Sequence, residues 1–332
     1  MKLSLVVPCY NEQDNVAPLC AAVERTFGDG CYDYEIIMVN DGSKDDTAKV
    51  IKQLQKQCAQ KIKLVNLSRN FGKESAVFAG LSESRGDYVS IIDADLQQDP
   101  AIVREMVERL EADSACDCIA AYQETRREGK ILSFYKNCFY KIIDKLTGME
   151  IKKGASDFRT MRRNMVDAIL EMKEYYRFSK GIFSWVGFET QYMPYTANQR
   201  LNGKSKWSFF KLFKYAIDGI VSFSTIPLRI STAIGMISSV LSVLYMIFVI
   251  FQKLCFGISI SGYATIVVSI LFLGGIQLFS IGILGEYLGR NYVETKRRPI
   301  YIAKEIIGYQ EGENKKSVEQ DGETAEKKEA LL

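Results

Sequence analysis

The sequence predicts an α/β fold: a mostly parallel sheet with helices on both faces, followed by amphipathic helices and a two-helix transmembrane hairpin. Three observations carry this. Short apolar runs alternate with helical stretches through the first 120 or so residues. Polar clusters stand where those runs end. Two long stretches near the C-terminus carry no charge. Repeated strand–helix units imply parallel strands covered on both sides. Such sheets bind ligands at the carboxyl ends of their strands.

The elements follow in order. Leu3–Val7 is a short apolar run that Pro8 closes, too short for a signal-peptide core and suited to a first buried strand. A helix is expected from about Asp14 to Phe27, then a strand at Glu35–Asn40. Ser43-Lys44-Asp45-Asp46 resembles a capping box that opens a helix reaching about Gln57. Lys63–Ser68 is the third strand, with a helix from about Gly72 to Ser84. Tyr88–Asp93 is the fourth. Asp99-Pro100 then supplies an N-cap and a first helical residue, and that helix runs to about Glu111. Cys116–Tyr122 is the fifth strand, in which Cys116 and Cys118 are expected on one face.

Composition narrows the chemistry. There is no histidine, which removes Ser-His-Asp and Cys-His catalysis and His-ligated zinc. The eight cysteines form no C-x-x-C pair and read as free thiols in a reducing compartment. A formal charge of +3 is too small to make nucleic acid the main partner.

The second half reads as membrane-associated. Ile131, Phe134, Tyr135, Cys138, Phe139, Ile142, Ile143 and Leu146 recur at helical spacing, which fits core packing or membrane contact. Between Ser205 and Phe223, Trp207, Phe210, Phe213, Ile217 and Ile220 form one stripe, and Lys211, Lys214 and Asp218 another. That pattern suits a helix in the headgroup layer. Ser231–Gln252 has no charged residue and spans roughly 33 Å as a helix, enough for a bilayer core. A second span is expected at about Ala264–Leu284. Arg229 precedes the pair and Lys296, Arg297 and Arg298 follow it, whereas the connecting loop carries only Lys253. The positive-inside rule then places both termini and the catalytic domain in the cytoplasm of a cell inner or plasma membrane. The expected division is residues 1–204 catalytic, 205–228 interfacial, 229–290 spanning, and 291–332 a tail, disordered after about 308.

Asp93-Ala94-Asp95-Leu96-Gln97 is the leading chemical cluster. Two carboxylates at an apolar strand end are costly to bury unpaired. Opening into a crevice, Asp93 and Asp95 could share one hard cation, Mg2+ or Mn2+, completed by diphosphate oxygens, with Gln97 adding a carbonyl ligand. A solvated turn is the plainer alternative. Asp99 reads as a helix cap rather than a ligand.

The ordered set Val7-Pro8-Cys9-Tyr10-Asn11-Glu12, Asn40-Asp41-Gly42-Ser43, Leu67-Ser68-Arg69-Asn70-Phe71-Gly72-Lys73 and Asp93–Pro100 resembles family 2 glycosyltransferases of the GT-A, Rossmann-like fold. Ser156-Asp157-Phe158-Arg159 and Arg200–Trp207 continue the pattern. With the hairpin, the chain is similar to the polyprenyl-phosphate branch, which holds bactoprenol glucosyltransferases and dolichol-phosphate mannose synthases. The resemblance implies roles. Pro8, Tyr10, Asn11 and Glu12 would lie against the nucleotide, and Asp41 would orient the base. Asp93 and Ala94 would meet the donor, and Asp95 and Gln97 the metal–diphosphate. Arg69 and Lys73 would meet phosphate or anchor the aspartates. Arg126, Arg127, Arg200, Lys204, Ser205 and Lys206 would bind the acceptor phosphate. Asp157 is the candidate general base or an orienting group.

Two positions depart from the family pattern. Asn40 stands where many relatives carry Asp, and Glu124 where a positive charge is common. The implied reaction is inverting transfer of a hexose, first glucose from UDP-glucose, to undecaprenyl phosphate for cell-envelope glycan modification. Transfer to another glycan or lipid, or a non-catalytic scaffold that binds nucleotide sugar, are the alternatives. A second copy of the chain, packing on Gly274-Gly275 and Gly282-x-x-Gly285, and a flippase are the further partners considered.

Overall fold

The structure is a computed structural model that describes residues 2–58, 61–123, 155–198, 221–222, 224–256 and 262–308. Among the described residues the sheet has eight strands, in the order β7-β5-β6-β4-β1-β2-β3-β8. They are β1 Lys2–Cys9, β2 Asp33–Asn40, β3 Ile62–Leu67, β4 Tyr88–Ile91, β5 Cys118–Gln123, β6 Ala155–Arg162, β7 Thr190–Tyr195 and β8 Ala303–Ile307. The helices are α1 Val16–Phe27, α2 Thr47–Gln57, α3 Lys73–Glu83, α4 Pro100–Ala112, α5 Arg163–Glu171, α6 Ser179–Trp185, α7 Ile226–Phe256 and α8 Tyr263–Thr295.

The period of two along the strands sorts the core into two layers. Leu3, Leu5 and Val7 of β1 face Val16, Leu19 and Val23 of α1, Ile51 of α2, and Val103 and Met106 of α4. Val6, between them, faces Ala76 and Ala79 of α3, with Met165 of α5 and Ile182 of α6 on the same side. Helix α3 crosses β1 closely at Gly80, where an added Cβ would come within 2.3 Å of Val6 Cγ1. No larger residue fits there without moving the helix off the sheet.

β3-β2-β1-β4 is parallel throughout. β6 interrupts the progression, running antiparallel between β4 and β5, so that β5 returns to the common direction. β7 adds parallel to β5. The carboxyl ends of β1 to β5 and of β7 therefore share one edge. β8 adds antiparallel to β3, with Ala303 opposite Leu67 at that same edge.

Several expectations are corrected. α2 begins at Thr47, after an Asp46 cap that makes no side-chain bond, so Ser43 does not cap it. Ser43 instead accepts the Asn11 N–H, and Asp45 holds the N–H of Thr47. Cys116 and Cys118 do not share a face. The strand starts only at Cys118, and both Asp117 and Cys118 donate to the Glu189 carbonyl, which breaks the alternation. Cys116 joins one core layer and Cys118 the other. The seven described cysteines are free; Cys138 lies outside the described residues.

α7 and α8 are both long and apolar enough to cross a membrane, and their large side chains are largely exposed. Among the described residues, Tyr287 of α8 donates to the carbonyl of Ser224, two residues before α7, at 2.6 Å. The candidate helix at 131–146 and most of the amphipathic stretch at 205–223 lie outside the described residues.

Candidate active site

The site assembles where four strand-end loops meet. The loop after β1 is pinned to the loop after β2. Asn11 N–H donates to Ser43 Oγ at 3.0 Å, Lys44 N–H to Asn11 Oδ1 at 2.9 Å, and Glu12 N–H to Thr47 Oγ1 at 2.9 Å. Asn11 sits at φ 56°, a left-handed conformation that Asn tolerates better than most residues. Pro8 lies inside β1 and Tyr10 immediately follows it.

Asp41 is buried, and both of its oxygens are engaged. Phe71 N–H donates to Oδ1 at 2.7 Å and Gly72 N–H to Oδ2 at 3.0 Å. Burial pushes its pKa up against the lowering effect of these two bonds. Asp41 thus lies under the start of α3, where it accepts the N–H groups of the two residues that lead into the helix. Gly42 permits this approach. It adopts φ 61°, and an added Cβ would lie 2.4 Å from the Arg69 carbonyl carbon. Arg69 is exposed, with its guanidinium 4.4 Å from the Phe71 ring.

Lys73 opens α3 and bridges two carboxylates. Its Nζ lies 2.6 Å from Asp93 Oδ1 and 3.3 Å from Asp157 Oδ2. The register explains the pairing: Ile91 is opposite Arg159 in the antiparallel β4–β6 ladder, so two residues further on Asp93 comes beside Asp157. Of the roles considered for Lys73, anchoring the aspartates is the one this geometry fits. Burial alone would push the Lys73 pKa down; Asp93 and Asp157 overcome it and hold it above the usual lysine value. For Asp157, burial alone would raise the pKa, but Lys73, Lys180 and Arg159 outweigh it and hold it below the usual carboxylate range.

Asp93 is held from the other side by Gln98, which sequence reasoning missed. The buried Gln98 amide accepts Asp93 N–H at 2.8 Å and donates to Asp93 Oδ2 at 3.3 Å. Ala94 is buried. Asp95 Oδ1 accepts Gln97 N–H at 3.2 Å across Leu96, which takes φ 61°. A leucine in that region costs on the order of 1–2 kcal/mol, so the turn is held by its surroundings. Asn198 N–H donates to the Gln97 carbonyl at 3.0 Å and is part of what holds it. Asp99 caps α4 as expected, accepting Ala101 N–H at 2.9 Å.

Arg159 continues β6 behind Asp157. It is buried, stacks 3.6 Å over the Phe183 ring, and donates to the Ser156 carbonyl at 3.1 Å. The positions Glu124, Arg126, Arg127, Arg200, Lys204, Ser205 and Lys206 lie outside the described residues. Asn198, on Gln97, stands two residues before Arg200.

No cluster of three or more acidic or cysteine ligands occurs among the described residues. An all-protein cage for a metal is thus absent there. One or two carboxylates at a strand end do suit a hard cation that takes its remaining ligands from phosphate oxygens, as magnesium does. Asp95 and Asp93 fit that donor set.

The geometry, then, is the carboxyl edge of a mostly parallel sheet with two paired acidic centres, and two long apolar helices lie between β7 and β8 in the chain. Comparison with known proteins agrees. Residues 4–170 match the model of glycosyl transferase family 2, and residues 226–290 match that of the GtrB C-terminal hairpin. An uncharacterized glycosyltransferase of Synechocystis sp. is 42% identical over 93% of this chain and 96% of its own length. A prophage bactoprenol glucosyl transferase homolog of Escherichia coli is 41% identical over 92% and 99%. The bactoprenol glucosyl transferase of Shigella phage SfV is 42% identical over 92% and 98%. Because the strand-end motifs fall inside the first match and both apolar helices overlap the second, the chain belongs to glycosyl transferase family 2, in the form that carries the GtrB C-terminal hairpin.

Proposed function

We propose that this protein transfers glucose from UDP-glucose to a membrane polyprenyl phosphate, with inversion at the anomeric carbon. The observation that carries the reading is the shared edge. The Asp93–Asp95 turn, the end of β7 that leads toward α7, and the start of β8 after α8 all lie at the carboxyl end of the sheet. A site on that edge faces the side from which the hairpin leaves. A polyprenyl phosphate keeps its head at the membrane interface, so an anchored site meets it there. Relatives named bactoprenol glucosyl transferase, aligned over nine-tenths of the chain, support the acceptor class and the sugar. An apolar recess of about 440 Å³ between Pro227 of α7 and Phe279, Gly282 and Ile283 of α8 suits an isoprenoid chain.

The chemistry is a single displacement. An acceptor phosphate oxygen bonds to the anomeric carbon, the bond to the donor diphosphate breaks, and UDP leaves with the electron pair. The acceptor needs little activation, because a phosphate monoester is already largely ionised near neutrality, with a second pKa of about 6. Ionised Asp157 can take the remaining proton of a monoanionic acceptor. Lys73 keeps Asp93 and Asp157 at fixed spacing, and Gln98 orients Asp93 toward the donor. A magnesium or manganese ion held by Asp95 and Asp93 would offset the charge of the departing diphosphate. Pro8, Tyr10, Asn11 and Glu12 flank the nucleotide, and the basic residues Arg126, Arg127, Arg200, Lys204 and Lys206 clamp the acceptor phosphate. The charge bias of the hairpin flanks supports a site on the cytoplasmic side.

The test is purified full-length protein with undecaprenyl phosphate, a divalent metal and a panel of labelled nucleotide sugars. Label from UDP-glucose should enter an organic-extractable, mild-acid-labile lipid with release of UDP, and Asp95→Ala should abolish it. No labelled lipid from any donor sinks the acceptor assignment. Full biological function retained in Asp95→Ala would favour the scaffold alternative.

A further inference from the structure

Two carboxylates outside the reacting centre hold one short segment at two points, its middle and its C-terminal end. Glu74 follows Lys73 on α3. It accepts the backbone N–H of Ser179 at 3.1 Å and also the Ser179 hydroxyl. Ser179 is the first residue of α6, so the Glu74 carboxyl group lies at that helix's N-terminal end. Glu294 sits in the last turn of α8. It accepts the backbone N–H of Tyr175 at 2.9 Å and of Tyr176 at 3.4 Å. One turn earlier on α8, Arg290 lies 5.0 Å over the Tyr176 ring and donates to Ser222 Oγ at 2.8 Å. Between these two points, Arg177 stacks 4.3 Å over Phe78 of α3.

The segment is thus fixed to α8 at its middle and to the helix carrying Lys73 at its C-terminal end. Each carboxyl group here takes two hydrogen bonds from the segment, which fixes the position of the groups that donate them. A surface loop with no mechanical duty would leave those N–H groups to water. This one also holds an unfavourable group: Glu174 Oε1 is buried and has no hydrogen-bond partner among the described residues. Such a placement persists only where the surroundings enforce it. Glu74 in turn stands in the field of Asp157 on β6, of Lys73 on its own helix, and of Arg177 in the segment.

We infer that residues 172–179 are a positioning strap: through Glu74 they tie the site-side end of α8 to Lys73 and Asp157, so that seating of the hairpin sets the spacing of the site carboxylates. The inference rests on the proposed reaction only in taking Lys73, Asp93 and Asp157 as the reacting centre. Glu74 and Glu294 act as positioning residues and touch neither substrate.

The experiment compares wild-type full-length protein in lipid nanodiscs with Glu294→Ala, Glu74→Ala, the double variant and Glu74→Gln. Amide hydrogen exchange is read alongside kcat and KM. Glu294→Ala should speed exchange at 172–179 and also at the first turn of α3. It should lower kcat about tenfold with donor KM within about twofold. Glu74→Ala should do the same, Glu74→Gln should restore part of the rate, and the double variant should be no slower than the slower single. Exchange changes confined to 172–179, or losses that multiply in the double variant, would overturn the strap. Should Glu74→Ala fail to fold, Ser179→Ala removes only the hydroxyl contact and carries the same expectation in weaker form. Exchange needs no turnover, so it decides the inference even if the wild type glucosylates no polyprenyl phosphate, a result that would count against the proposed reaction alone.

Discussion

Asp93 and Asp157 stand side by side at the ends of neighbouring antiparallel strands, and the Lys73 ammonium joins them at 2.6 and 3.3 Å. The pair brings together the donor side and the acceptor side of the proposed transfer. The ammonium offsets the repulsion between the two carboxylates, and for Asp157 it outweighs the cost of burial.

Lys73→Met should therefore lower kcat about 100-fold and move the acid limb of the rate–pH profile upward, because Asp157 then loses the charge that outweighs its burial. Initial rates from pH 5 to 9 check this, and an acid limb that stays in place would count against the bridge. The same shifts set a stability window. The Asp157 pKa is depressed, so its contribution is present above the ordinary value of 3.8 and is lost as pH falls through the folded value. The Lys73 pKa is raised, so its contribution is full below 10.5 and is lost as pH rises through the folded value. Across the physiological range the bridge should leave stability flat.

Glu74 should tilt that flat region. Burial and the nearby Asp157 charge push its pKa up from 4.5 to about 7, while Ser179 and Lys73 pull against them. The folded protein then binds more protons than the unfolded chain between these values, so this group's contribution to stability falls as pH rises from 4.5 through 7. Glu74→Gln removes the titration. Apparent melting temperatures measured from pH 4.5 to 8 should show a smaller loss in the variant than in the wild type; parallel curves would contradict the raised pKa.

Gln98 gives a test of how Asp93 is aimed. Its buried amide makes two contacts with Asp93, and removing it leaves the Asp93 N–H without that acceptor. Gln98→Ala should cost about 1–3 kcal/mol of stability. It should also lower kcat by roughly tenfold or more, since the carboxylate loses one of the two groups that fix it. Denaturant melts and steady-state kinetics on the same preparation separate the effects. A stability loss with unchanged kcat would reduce Gln98 to a packing residue.

The parts that could be read from the sequence are those written locally. An apolar run followed by two acids two residues apart marks a strand end with chemistry, and Asp99-Pro100 marks a helix start. Asp157 was visible only through motif resemblance; its place beside Asp93 depends on β6 entering antiparallel between β4 and β5, a non-local choice that no period reveals. Gln98 was invisible because its role depends on the left-handed turn at Leu96, and leucine carries no turn signal. Cys116 and Cys118 misled because alternation was extended two residues beyond the true strand. β8 was missed because Ala303-Lys304-Glu305-Ile306-Ile307 is short, with two charges, and borrows its pairing from β3 more than 200 residues away.

Asp41 separates two roles by experiment. If it reads the base, Asp41→Ala should change discrimination between uridine and guanosine donors. The two bonds to Phe71 and Gly72 predict otherwise: a stability loss of about 1–3 kcal/mol, slower turnover with every donor because Lys73 loses its seat, and an unchanged preference between bases. Competition between UDP-glucose and GDP-mannose in one assay reads this directly.

The last strand makes the sharpest claim about the C-terminal region. β8 covers the β3 edge, with Ile306 and Ile307 packing on opposite layers of the core. Buried Ile300 and the Tyr301 ring, 6.4 Å from that of Phe78, lead into it. Tyr301 also shares a 2.9 Å hydroxyl contact with Ser82, and Glu305 pairs with Lys52 of α2. Ending the chain at Arg298 would uncover an apolar strand edge and remove these contacts, although every strand-end motif would remain. The apparent melting temperature should then fall on the order of 5 °C or more, and the protein should aggregate on storage. A chain ended at Gly308 keeps β8 and should melt with the wild type. Equal melting of the Arg298 and Gly308 truncations would mean that the edge needs no cover and that β8 adds nothing to the fold.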